Sequence, residues 1–94
     1  MKNFKVDTYF STFESGNHTF LHENGKTWQK YVIVDNKVIG EYREYHSNGT
    51  LMKRGVFSNG LQQGLWSVYH DNGELWKEIY YKDGKLHGHC IVYL

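Results

Sequence analysis

Residues 64–87 read GLWSVYHDNGELWKEIYYKDGKLH, and this 24-residue stretch decides the fold because the chain repeats it. Glycine, aromatic residues and two turn dipeptides recur at the same spacing when the sequence is cut before Gly16, Gly40, Gly64 and Gly88. Self-similarity at a fixed period of roughly 20 to 50 residues indicates a repeat protein. The sequence therefore predicts a single repeat domain, residues 1–94, made of a degenerate half-block, three full blocks and a truncated block: 1–15, 16–39, 40–63, 64–87 and 88–94.

Every full block carries two turn dipeptides. The six pairs are Asn24-Gly25, Asp35-Asn36, Asn48-Gly49, Asn59-Gly60, Asn72-Gly73 and Asp83-Gly84. Asn-Gly and Asp-Gly between alternating apolar residues favour β-hairpins, because type I′ turns need a positive φ at both central residues. Since turns of the same kind also join the blocks, the sequence predicts an all-β fold, an antiparallel β-hairpin meander of about seven strands.

The composition favours short strands, and the charge balance argues against one class of partner. The chain has no proline, 10 glycines, three Trp, eight Tyr and five Phe, a mixture that favours strands joined by tight turns. Eleven basic and ten acidic residues are interspersed and leave a net charge of +1, which argues against nucleic acid as the partner. The first ten residues lack the apolar core of a secretory signal, and the lone Cys90 has no internal disulfide partner, so we expect a cytoplasmic protein.

The order glycine, aromatic residue, tyrosine, Asn-Gly and glycine resembles the MORN repeat, and more specifically its bacterial variant. It is formed by Gly40, Tyr42, Tyr45, Asn48-Gly49 and Gly60, and again by Gly64, Trp66, Tyr69, Asn72-Gly73 and Gly84. The first block departs from the pattern, with His18, Leu21 and Asn36 at three of these positions. The resemblance implies a structural or binding unit without catalysis, which acts on protein partners or, in some eukaryotic proteins, on membrane lipids. For a small bacterial protein of the variant type, the resemblance implies an antitoxin-like role, in which the protein binds and neutralises another protein.

The turn geometry predicts which residues share a face of the sheet. If the Asn-Gly turns are two-residue loops, one face carries the facing pairs Leu21–Trp28, Tyr45–Met52 and Tyr69–Trp76. The other face then carries Tyr42–Gly55, Trp66–Ile79 and Glu44–Lys53. Apolar residues on both faces predict a curled sheet with a thin core and a second surface that needs a partner. The predicted partner-binding residues are Trp28, Tyr45, Tyr69, Trp76 and Tyr93.

The residues that suggest chemistry do not combine into a catalytic, cofactor or metal site. His22, His46 and His70 recur at one position of each block, but equivalent positions lie two strands apart, roughly 9 to 10 Å, too far to share a zinc ion. Cys90 occupies an apolar mid-strand position, where we expect it to be buried and inert. Carboxylates such as Glu41 alternate with Lys and Arg, which indicates solvated cross-strand pairs. We therefore expect no enzyme and no cofactor.

Two function classes remain. The first is a non-enzymatic protein-binding module that inhibits a partner by occlusion, as an antitoxin, an immunity protein or a phage-encoded inhibitor would. Open strand edges also allow self-association through edge pairing. The alternative is a lipid-associated or scaffolding module, which needs a basic stripe beside the aromatic residues. Lys53, Arg54 and Lys77 begin such a stripe, but Glu78 interrupts it, so the sequence argues against a membrane partner.

Overall fold

The computed structural model describes residues 14–93, which form one antiparallel sheet of seven strands. The strands are β1 (Gly16–Leu21), β2 (Thr27–Val34), β3 (Lys37–Tyr45), β4 (Leu51–Ser58), β5 (Leu61–Tyr69), β6 (Leu75–Lys82) and β7 (Lys85–Val92). Each strand pairs with the next one along the chain, so the order in the sheet is the order in the sequence. The predicted all-β meander is confirmed. Residues 1–13, which make up most of the degenerate half-block, and Leu94 lie outside the described residues.

The second turn of each block is the predicted two-residue type I′ loop. Asp35 and Asn36 have φ values of 51° and 65°, and the other two turns are equivalent. Each turn is flanked by a directly facing pair: Val34–Lys37, Ser58–Leu61 and Lys82–Lys85. Type I′ turns match the right-handed twist of the strands that they join, which explains why these hairpins are regular at their ends.

The first turn of each block is different, and the prediction of a two-residue loop is wrong there. His22 N–H donates to Lys26 O at 2.8 Å, and Gly25 N–H donates to His22 O at 2.9 Å. Among the loop residues only the glycine has a positive φ, 87° at Gly25. These features define a three-residue loop, a type I turn followed by a left-handed glycine. The Asn24 side chain favours it, because its Oδ1 accepts the Lys26 N–H at 2.9 Å.

The longer loops change the register of the strands. Leu21, Tyr45 and Tyr69 face Thr27, Leu51 and Leu75, so the predicted pairs Leu21–Trp28, Tyr45–Met52 and Tyr69–Trp76 are wrong. A β-bulge follows each of these pairs, where one strand contains an extra residue. The extra residues, which have no partner directly opposite on the preceding strand, are Trp28, Met52 and Trp76.

A second set of bulges lies at the glycines that open the blocks. Gly40, Gly64 and Gly88 have φ values of 72°, 73° and 83°, and the register of the sheet shifts beside each of them. Glycine adopts this left-handed conformation without a steric penalty. Because bulges strengthen the local twist of a sheet, these glycines bend the meander once per block.

The core lies on one face of the sheet, centred on Trp66, which is 2% exposed. Its ring packs on the backbone of Gly55, and its Nε1–H donates to Val56 O at 3.2 Å. The rings of Phe57, Tyr42 and Tyr81 surround it, with centroids 5.1, 5.6 and 6.1 Å from that of Trp66. We call this side the aromatic face, defined by Tyr31, Tyr42, Phe57, Trp66 and Tyr81.

The predicted register through the core is confirmed. The facing pairs are Tyr42–Gly55, Trp66–Ile79 and Glu44–Lys53. Tyr42 and Trp66 therefore flank Gly55 from the two neighbouring strands, and their rings meet above it. A larger residue at position 55 would separate them, which explains why glycine occupies this strand interior.

The recurring histidines connect successive turns. His22 Nε2 lies 2.7 Å from Tyr45 O, and His46 Nε2 lies 2.9 Å from Tyr69 O. The acceptor is a carbonyl in both cases, so the ring nitrogen carries the hydrogen. Asn48 adds a parallel bond from its Nδ2 to Asp71 O at 2.8 Å. His22 and His46 therefore hold the first turns of their blocks against the first turn of the block that follows.

Candidate partner-binding surface

A groove opens on the aromatic face between β4 and β6. It has a volume of about 490 Å³, and the buried side chains of Trp66 and Val68 form its floor together with Ile79. Met52 and Trp76, two of the bulge residues, also line it. A bulge re-aims side chains at the point where pairing shifts, and here it adds a methionine and a tryptophan to the groove.

Trp76 is both exposed and held in place. Its side chain is 39% exposed. Its ring stacks on His70 with a centroid distance of 5.0 Å, and Lys77 Nζ lies 4.6 Å from the ring centroid in a cation–π contact. A side chain that is already ordered loses little entropy on binding. Trp76 therefore has the geometry of an interface anchor.

The five predicted binding residues do not form one stripe. Tyr69 and Trp76 both line the groove. Trp28 occupies the equivalent position to Trp76 but lies on β2, four strands and roughly 19 Å away. Its ring centroid is 5.9 Å from that of His22. Their role in binding stays a prediction, and the structure separates them into different patches.

The remaining two predicted residues are engaged elsewhere. The side chain of Tyr45 interacts with the guanidinium of Arg43 through a hydrogen bond. This hydrogen bond, ahead of the one to Glu41, raises the pKa of Arg43. Tyr93 is exposed and donates its hydroxyl to Glu78 Oε1 at 2.6 Å. Neither residue lines the groove on the aromatic face.

Two phenols of the aromatic face, Tyr42 and Tyr31, remain neutral. Burial, followed by the hydrogen bond to Glu44, raises the pKa of Tyr42 well above its ordinary value. The Tyr42 hydroxyl donates to Glu44 Oε1 at 2.7 Å and accepts from Gln29 Nε2 at 2.9 Å. Burial also raises the pKa of Tyr31. Glu44, Lys53 and Lys77 therefore supply the charges that border the aromatic face.

The structure divides the predicted basic stripe between the two sides of the sheet. Lys53 and Lys77 line the groove on the aromatic face. Arg54, the next residue after Lys53, points to the other side, where its Nη2 bonds Glu41 Oε2 at 3.3 Å. Side chains alternate along a strand, so neighbours in sequence cannot form one stripe. We call this second side the opposite face; it includes Glu41, Arg43, Arg54, Val56, Leu65, Ser67 and Tyr80.

Cys90 is exposed, so the expectation that it is buried is wrong. It faces Ile79 on β6, in the row that holds Tyr42 and Trp66. Those two residues have paired strands on both sides, whereas β7 pairs only with β6 in the part of the chain that the structure describes. Burial in a single-layer sheet depends on such lateral neighbours, and Cys90 lacks one of them.

Residues 14–93 contain neither a candidate metal cluster nor a membrane-spanning helix. In that range no group of three or more His, Cys, Asp and Glu residues is arranged to hold a metal ion. The same residues contain no helix with the length and apolarity needed to cross a membrane.

Comparison with known protein families identifies the same kind of repeat in this chain. Residues 39–59 and 62–83, just under half of the 94 residues, each match the family described as the MORN repeat variant. A search of the curated proteins and a search of the solved structures found no match. The first matched segment contains β4, and the second contains β6 and most of β5, which supply the groove. Over these two segments, the chain is similar to the MORN repeat variant, a repeat that indicates a binding or scaffolding module.

Proposed function

We propose that the chain is a non-enzymatic protein-binding module that neutralises its partner by covering a functional surface, as an antitoxin or an inhibitor does. The observation that carries this proposal is Trp76, an ordered and half-exposed tryptophan beside a groove with an apolar floor. Concave apolar surfaces with a few fixed polar groups are typical of binding sites. The similarity to the MORN repeat variant supports a binding role over catalysis.

The groove suits a protruding apolar side chain of a partner protein. Such a side chain can contact the floor at Val68 and Ile79 while Met52 adapts its shape at the side. Trp76 then becomes fully desolvated, which is the environment of residues that dominate binding energy. Lys53 and Lys77 would meet carboxylates or carbonyls of the partner around this contact.

Trp76→Ala is expected to weaken partner binding by roughly 30-fold or more, the effect of truncating an interface anchor worth about 2 kcal/mol. The tagged chain is used to capture partners from a lysate of the organism that encodes it, and the affinity of the captured protein is then measured by calorimetry with purified components. Tyr80→Ala is the matched control, because Tyr80 is a similarly exposed aromatic residue, 41% exposed, on the opposite face.

Two outcomes would contradict the proposal. The first is a folded Trp76→Ala protein that binds the captured partner as tightly as the parent chain. The second is the recovery of no protein partner together with binding to vesicles of anionic lipid, which would favour the lipid-associated module instead.

A further inference from the structure

Three cations form a row across the opposite face. Lys30 faces Arg43 in the pairing of β2 with β3, and Arg43 faces Arg54 in the pairing of β3 with β4. Directly facing residues on neighbouring strands lie about 5 Å apart and point to the same side. The three side chains therefore project together over roughly 10 Å. The row is not evident from the sequence, because Lys30 and Arg43 are 13 positions apart and Arg43 and Arg54 are 11 positions apart.

The row is only partly neutralised. Glu41 Oε2 contacts both Arg43 Nε, at 3.1 Å, and Arg54 Nη2, at 3.3 Å. Lys30 has no ion pair within residues 14–93. The next carboxylate along the row, Glu78, lies beyond Ser67, two strands from Arg54, and accepts the Tyr93 hydroxyl. Facing like charges destabilise a sheet, so three cations with one shared carboxylate leave an electrostatic cost that an anionic partner would remove.

A hollow lies at one end of the row. It has a volume of about 630 Å³, and its lining includes Lys30, Arg43 and Glu41 together with Thr19, Asn17 and Val32. Lys30 and Arg43 therefore border a concave site whose lining also includes the polar residues Asn17 and Thr19. A projecting acidic side chain can enter this concavity, whereas the surface of a bilayer is broad and flat.

We propose that this row is a second docking site, which takes an extended acidic segment of a partner protein. In an extended strand, side chains on one side repeat every 6.6 to 6.8 Å approximately, so two acidic residues separated by one position fit within the length of the row. Nucleic acid fits less well, since three cations release few counterions and give weak binding. The site lies on the other side of the sheet from the groove, and it does not depend on the function proposed above.

The test uses a synthetic peptide, acetyl-(Glu-Val)₄-amide, and the whole chain labelled with ¹⁵N for NMR titration. Amide shifts are expected in β2, β3 and the start of β4, around Lys30, Arg43 and Arg54. Each partly exposed ion pair contributes up to a few-fold in affinity, so Lys30→Gln with Arg43→Gln should weaken binding about tenfold. Raising the ionic strength should weaken binding by the parent chain as well.

The matched control is Lys53→Gln with Lys77→Gln, which removes the same two positive charges from the aromatic face. It should change the affinity for the peptide less than twofold, roughly, because through-solvent effects of distant charges are screened. Equal losses in the two double variants would overturn the proposal, since they would reflect net charge alone. Failure of the peptide to shift these amides, or tighter binding of vesicles containing phosphatidylserine to the same residues, would also overturn it.

Discussion

Replacing Trp66 by alanine is expected to lower the free energy of unfolding by about 3 to 5 kcal/mol, the usual cost of truncating a fully buried tryptophan. Trp66 is 2% exposed and is the largest side chain that the sheet buries completely. Small domains are stable by only about 5 to 15 kcal/mol, so this single change should leave the chain close to unfolding at room temperature. Urea denaturation followed by far-UV circular dichroism measures the change.

The reason for the large effect is that the core contains few other residues. Within residues 14–93 only Ile33 and Val68 join Trp66 in the buried apolar class. Removing the indole also opens a void between Tyr42, Phe57 and Tyr81, which lose their shared neighbour. The backbone carbonyl of Val56 loses a hydrogen-bond donor at the same time.

Trp76→Ala is the matched control for this prediction, because the same substitution is made at a half-exposed position of the next strand. It should cost less than half as much stability as Trp66→Ala. Equal losses at the two positions would contradict the conclusion that the core is centred on Trp66.

Replacing Gly55 by alanine is expected to lower the free energy of unfolding by about 3 kcal/mol, at the upper end of the cost of overpacking a core. A Cβ atom on Gly55 would overlap three ring carbons of Trp66, Cγ, Cδ2 and Cε2. Gly55 has no positive φ, so alanine fits its backbone and the cost comes from the collision alone. The same urea titration measures it.

A double-mutant cycle separates the collision from other effects of the alanine. In a chain that already carries Trp66→Leu, the added methyl group no longer meets the indole, so Gly55→Ala should cost much less than it does in the parent. An unchanged cost in both backgrounds would show that Gly55 is required for a reason other than the packing of Trp66.

Much of the architecture can be predicted from the repeat. The Asp35-Asn36, Asn59-Gly60 and Asp83-Gly84 dipeptides specify type I′ turns because both residues adopt a positive φ there. The register predicted from two-residue Asn-Gly loops places Tyr42 opposite Gly55 and Trp66 opposite Ile79, as the structure does. The Asn-Gly loops have three residues instead, and the bulge beside each of them restores this register.

The candidate site could not be predicted in the same way, because it depends on the bulges. Asn48-Gly49 and Asn59-Gly60 are the same dipeptide, yet the first lies in a three-residue loop and the second in a two-residue loop. The difference arises from the Asn48 side chain, whose Oδ1 accepts the Thr50 N–H and whose Nδ2 reaches Asp71 O in the next block. Asn72-Gly73 forms the same three-residue loop, with Asn72 Oδ1 accepting the Glu74 N–H. The dipeptide alone does not distinguish the two kinds of turn, so the sequence assigns Met52 and Trp76 to the wrong pairs.

The basic row on the opposite face was missed for a related reason. The sequence draws attention to Lys53-Arg54 as neighbours, whereas alternation sends these two side chains to opposite sides of β4. The cations that do meet, Lys30, Arg43 and Arg54, come from three strands. Finding them requires the register of two hairpins at once, including the bulge beside Gly40.

The groove beside Trp76, on the aromatic face, is the surface that we propose a partner protein covers. The most direct measurement installs the photo-crosslinker p-benzoylphenylalanine at one of two positions of β4 and irradiates the chain in cells of its source organism. Met52 lines the groove, and Val56 is exposed on the opposite face of the same strand. A discrete crosslinked protein is expected from position 52, and much less of it from position 56. The same protein crosslinked mainly from position 56, with position 52 silent, would show that the partner covers the opposite face instead.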